Sequence, residues 1–138
     1  DEGATLLNGI GVAPDGTVYA SNTRAPERIY KITPSGQTSI FAEGAPLAAP
    51  NGVAVDNQGN IVVVNVGDNA VVTFSPSGEV IKTEHAAEGS VSRIRPGQAA
   101  EVIATGIPSA ASMCYDSVQN QLVIPMNSNN ALAFIPLD

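Results

Sequence analysis

Apolar residues along this chain fall into short runs separated by Gly- and Pro-containing turns, and the same runs recur. Ile10 and Val12, and later Val53 and Val55, alternate with small residues, the two-residue period of a strand with one buried face. Asp15-Gly16 and Gln58-Gly59-Asn60 come after them and supply the positive-φ positions that a tight hairpin needs. Residues 17–21 and 61–65 are then apolar and β-branched enough to predict strands buried on both faces. Pro34-Ser35-Gly36 and Pro76-Ser77-Gly78 close a second hairpin in each case, because Pro presets φ at the first turn position and Gly tolerates the last. Helical periodicity is missing from every window, so the chain is predicted to be all-β.

The recurrence has a fixed length. Asn8-Gly9-Ile10-Gly11-Val12 returns 43 residues later as Asn51-Gly52-Val53-Ala54-Val55, and Gly36 returns as Gly78 after 42. A period of this size, made of short strands and turns, predicts the four-stranded antiparallel blade of a β-propeller. Residues 8–42 and 51–84 are expected to be complete blades. The next unit is irregular: Asp116 lies 60 residues after Asp56, and the excess, residues 91–103, matches the outer hairpin at 29–40. Residues 91–135 are therefore expected to hold an outer hairpin plus an incomplete last blade built on 122–125 and 131–135. Residues 4–7 offer a candidate for its missing outer strand. The whole, residues 1–138, is expected to be one partial propeller domain of about three blades, half of a six-bladed ring.

Composition narrows the partners more than the fold. The net charge is −7, and the six Lys and Arg are scattered from Arg24 to Arg95, which argues against nucleic acid and against an anionic membrane surface. No apolar run approaches the ~20 residues that span a bilayer. The single Cys114 sits in an apolar stretch and is expected to be a buried, inert thiol. The sequence starts on Asp with no recognisable targeting segment, which suggests a processed or trimmed chain and leaves the compartment open, with a soluble periplasmic or secreted protein favoured. Three blades in an arc would leave apolar faces bare at both ends, so association is expected, either with another copy or with the remainder of a parent propeller.

The pattern Asn-Gly-(apolar)-x-(apolar), then Asp-Gly or Gln-Gly, then Val18-Tyr19-Ala20-Ser21-Asn22, then Arg28-Ile29-Tyr30-Lys31-Ile32-Thr33-Pro34-Ser35-Gly36, resembles the six-bladed propellers of the senescence-marker-protein/gluconolactonase family and the related NHL-repeat proteins. Residues 103–116, with 121–125 and 129–131 beyond them, are similar to the final blade of bacterial members. The resemblance implies a divalent cation, Ca²⁺ above all, in the central channel, with ligands at the tops of inner strands. Asn8 matches a metal-binding Asn of the family. Asn51 stands where the family enzymes carry an Asp, a change that keeps an oxygen donor and removes its charge, so that the cation would be weakly bound. The family's Glu ligand would lie in blades outside this chain, and Ala110 and Ala111 at the third position cannot ligate.

Two functions fit these residues. One is a metal-dependent lactone or ester hydrolase, in which the cation polarises a carbonyl and activates water, active once the ring is completed. The other is a non-catalytic NHL-like propeller that binds a protein or small ligand. Asn8 and Asn51 have a plainer role open to them as well, since Asn before Gly can bond its own backbone and fix a turn. His85, the only histidine, is expected in a solvated connector, 84–88. Asp15, Asp56 and Asp116 are expected to hold turns. One His and one Cys, 29 residues apart, exclude a conventional zinc site and a Ser/His/Asp triad, and no catalytic residue is assigned.

Overall fold

The computed structural model describes residues 3–85, 89–93, 99, 101–108, 113–126 and 129–137. Among the described residues there are thirteen strands and no helix. Strands β1 (Leu7–Val12), β2 (Val18–Asn22), β3 (Arg28–Ile32) and β4 (Thr38–Glu43) form one antiparallel sheet in that order. A second sheet repeats the arrangement with β5 (Pro50–Val55), β6 (Ile61–Asn65), β7 (Ala70–Phe74) and β8 (Val80–His85). Beyond them lie a hairpin of β9 (Val91–Arg93) and β10 (Glu101–Ala104), and a three-stranded sheet of β11 (Cys114–Asp116), β12 (Gln121–Met126) and β13 (Ala131–Pro136). The chain divides into two compact units, Asp1–His85 and Ala86–Asp138.

The turns form for the same local reasons in both four-stranded sheets. The Gly16 N–H donates to Ala13 O at 2.9 Å and the Ala13 N–H to Thr17 O at 2.8 Å, and Gly16 takes a φ of 84°. Gly59 repeats this with Asp56 at 3.0 Å and a φ of 82°. The outer hairpins are equally alike: a hydroxyl pair closes each, Thr33 with Ser35 at 2.9 Å and Ser75 with Ser77 at 2.7 Å. A type I turn capped by a left-handed glycine is a common way to join such strands, and it asks only for local residues.

Tyr19, Ile29, Ile61, Val63, Ala70, Val72 and Phe74 form the core of the first unit, with Leu47 from the connector. It lies between the two sheets. Rings of both blades interlock there: Tyr19 and Phe41 meet edge to face at 5.1 Å, and Phe41 and Phe74 at 6.0 Å. Each such buried side chain contributes ~1.5–3 kcal/mol relative to exposure. On the opposite face of the first sheet Ala20 and Tyr30 are buried, while the first strand stays open, with Ile10 66% and Val12 60% exposed. Residues 17–21 are buried as expected except for a half-buried Val18, but Val64 in the matching strand is 45% exposed, because it points away from the first blade.

In the second unit Val91, Ile107 and Ile124 are buried, and Leu122, Met126, Ala133 and Ile135 pack against them. Cys114 is exposed, contrary to the expectation of a buried thiol. The register explains it: Cys114 pairs with Val123, and Val123 with Phe134, so Cys114 stands on the face that alternates away from Ile124. Thr5 and Leu6 donate their N–H groups to the Asn22 side chain, and Leu7 opens β1.

Candidate functional site

Strands β1 and β5 run against each other at one edge of the two packed sheets, and this edge carries both asparagines proposed from sequence. The approach is close. A Cβ on Gly9 would lie 2.0 Å from the Asn51 carbonyl oxygen, and one on Gly11 would lie 3.1 Å from that of Val53. Only glycine fits at position 9, which explains why Asn8 precedes a Gly in steric terms.

One hydroxyl ties the two strands together. Ser21 Oγ accepts the Gly9 N–H at 2.9 Å and donates to the Asn51 carbonyl at 2.6 Å. Thr23 Oγ1 adds a parallel bond to the Pro50 carbonyl at 2.7 Å. Behind them Asn22, fully buried, accepts the N–H groups of Thr5 and Leu6 at 2.9 and 2.7 Å and donates to the carbonyls of Arg24 and Pro26, both at 2.8 Å. All four hydrogen-bonding positions of that amide are used, as a buried amide requires. Asn65, its counterpart 43 residues on, donates to the Pro46 carbonyl at 2.8 Å, and its Oδ1 is buried with no partner among the described residues.

Asn8 is exposed and Asn51 half-buried. Neither side-chain amide makes a hydrogen bond to a described residue, so neither is engaged in fixing its own turn. Both amide oxygens are of the hard type that suits Ca²⁺, and both are neutral. Among the described residues, no cluster of three His, Cys, Asp or Glu side chains could hold a metal ion. The donor set therefore fits a cation in kind but needs charge from residues elsewhere. Ala110 and Ala111 lie outside the described residues. His85 ends β8 opposite Ala70 rather than falling in a connector.

The turn aspartates are occupied with backbone. Asp56 Oδ1 accepts the N–H groups of Gln58 and Asn60, both at 2.8 Å, and Oδ2 accepts the Asn60 side chain at 2.9 Å. Its slight burial would raise the pKa, but these bonds outweigh it and hold the carboxyl below the ordinary value. The Thr17 backbone and hydroxyl do the same for Asp15, and the Gln121 side chain, with the N–H groups of Gln119 and Val118, for Asp116. Sequence reasoning missed Ser21, Asn22 and Thr23. The signal that could have found them is the recurrence of Asn at positions 22 and 65, a polar residue kept at the end of an otherwise buried strand.

Two four-stranded antiparallel sheets, packed face to face with their first strands converging, define a β-propeller. The SMP-30/gluconolactonase/LRE-like family model matches residues 1–94, and the chain belongs to that family. No curated protein matches it in sequence. Among solved structures, virginiamycin B lyase from Staphylococcus aureus superimposes with a TM-score of 0.71 at 16% identity, covering 96% of this chain and 52% of the lyase. A gluconolactonase from Xanthomonas campestris gives 0.53 at 22% identity, covering 96% and 38%, and a calcium-binding regucalcin from Agrobacterium tumefaciens gives 0.55 at 18%, covering 86% and 37%. The chain thus spans about half the length of these relatives, or less. No helix among the described residues is long and apolar enough to cross a membrane.

Proposed function

We propose that this chain is half of a metal-dependent lactone or ester hydrolase, one partial propeller domain over residues 1–138, acting only when a second copy or the rest of a parent propeller completes the ring. Asn8 and Asn51 would hold a weakly bound divalent cation, Ca²⁺ first. When bound, the cation would polarise a substrate carbonyl. The observation that carries the reading is that both asparagines open strands on the one edge where the blades converge, with amides not engaged by any described residue. The family and its gluconolactonase and regucalcin relatives support it. Ser21 and Thr23 hold the two strands in register, so the donors keep their spacing without a ligand.

Because hard-cation affinity tracks ligand charge, two neutral amides alone place the affinity in the roughly millimolar class. Calorimetric Ca²⁺ titration of the self-associated chain tests this, with lactone hydrolysis as the second readout. Asn51→Asp is expected to tighten Ca²⁺ and Asn8→Ala to weaken it. Unchanged affinity in Asn51→Asp would overturn the metal assignment and leave a propeller that binds a protein or small ligand without catalysis.

A further inference from the structure

We infer that Asn51-Gly52 is a site of spontaneous deamidation in the folded chain, converting a neutral amide at the converging edge into a carboxylate, and that Asn8-Gly9 is protected from the same reaction. The inference does not depend on the cation reading. In an Asn-Gly pair the glycine lacks the Cβ that would hinder ring closure. Its backbone nitrogen, losing its proton, attacks Cγ of the asparagine; the new N–Cγ bond forms, the Cγ–Nδ2 bond breaks, and ammonia leaves with the proton. Water then opens the succinimide at either carbonyl to give aspartate or isoaspartate.

Regular ladder pairing would suppress this by fixing the backbone, but the register breaks at both pairs. The β1–β2 pairing shifts between Leu7 and Ile10, and the β5–β6 pairing between Pro50 and Val53. What separates the two sites is how the break is tied. At the first, the Gly9 N–H that would have to attack is held by Ser21 Oγ at 2.9 Å, and the preceding Thr5 and Leu6 are held by Asn22. At the second, Val64 occupies the place of Ser21, its Cβ and Cγ2 3.8 Å from where a Gly52 Cβ would sit, and no described side chain bonds the Gly52 N–H. The lead-in is tied differently too: Ser21 and Thr23 hold the carbonyls of Asn51 and Pro50, but Asn65 Oδ1, unlike that of Asn22, takes no N–H from a described residue.

The test incubates the whole chain at mildly alkaline pH and monitors ammonia release and isoaspartate, with peptide mapping to assign the position. Conversion at residue 51 is expected about fivefold faster than at residue 8, the rate ratio for one hydrogen bond of ~1 kcal/mol. Val64→Ser should slow it by restoring a hydroxyl. Gly52→Ala should slow it further, and a Cβ there meets only ordinary contacts, so this variant keeps the fold. Equal or faster conversion at residue 8, or an unchanged rate at residue 51 in Gly52→Ala, would overturn the proposal.

Discussion

The first and second blades share strand lengths, turns and core, yet they differ at the end of their second strands. In the first blade Ser21 and Asn22 end β2 with every polar atom engaged, and they fasten β1, the lead-in and β5 into one edge. In the second blade Val64 and Asn65 occupy those positions, with Val64 45% exposed and one amide oxygen orphaned among the described residues. Repetition has kept what each blade needs to fold by itself. It has not kept the polar bracket between neighbours, because that bracket depends on the particular chain lying alongside.

The largest expected consequence is in the two buried asparagines. Asn22→Ala removes an acceptor for two N–H groups and a donor for two carbonyls, and each buried group left unsatisfied costs ~1–3 kcal/mol, so the total loss should exceed that of one bond severalfold. Asn65→Ala loses one bond to Pro46 and also removes an orphaned oxygen, so its net cost should be about 1 kcal/mol or less. Urea unfolding of the two variants side by side measures the gap. Similar midpoints would mean that the blades are fastened equally.

Next in size is the hydroxyl. Ser21→Ala leaves the Gly9 N–H and the Asn51 carbonyl without their shared partner, and a loss of ~1–3 kcal/mol is expected. Val64→Ser, the reverse exchange in the second blade, should shift stability by no more than ~1 kcal/mol, since Val64 is half exposed and contributes little burial. Hydrogen exchange at Gly9 gives an independent readout: it should accelerate in Ser21→Ala and stay unchanged in Val64→Ser.

The same division separates what is legible in the sequence from what is not. The period of 43 and the turns at Gly16, Gly36, Gly59 and Gly78 can be read directly, because a positive-φ glycine and a presetting proline act within four residues. Asn8 and Asn51 can be placed at the openings of equivalent strands for the same reason. Ser21 cannot be assigned a role, since its partners lie 12 and 30 residues away and no local pattern records them. Cys114 reads as buried because its neighbours are apolar, whereas the side on which it emerges depends on pairing with Val123. Nor does residue type alone distinguish Val64 from the buried Val63, although adjacent strand residues must point to opposite faces.

The smallest expected difference lies in the two equivalent turns and shows only in acid. Asp56 accepts three hydrogen bonds from Gln58 and Asn60, whereas Asp15 accepts the Thr17 N–H at 2.9 Å, with the Thr17 hydroxyl a further cause of its lowered pKa. Both carboxyls are held below their ordinary value of 3.8 in the folded chain, so each ionised group favours folding. Linkage gives the sign: the contribution is fully present above the ordinary value, declines as pH falls through the folded pKa, and is gone once both states are protonated. Asp56→Asn should therefore lower stability at neutral pH and flatten its decline below pH ~4, and Asp15→Asn should do the same more weakly. Urea midpoints from neutral pH down to pH ~3 measure the effect. An acid limb flattened equally by both variants would show that the Asn60 amide adds nothing, and that a carboxylate at the third position of the first turn serves as well as one at the first position of the second.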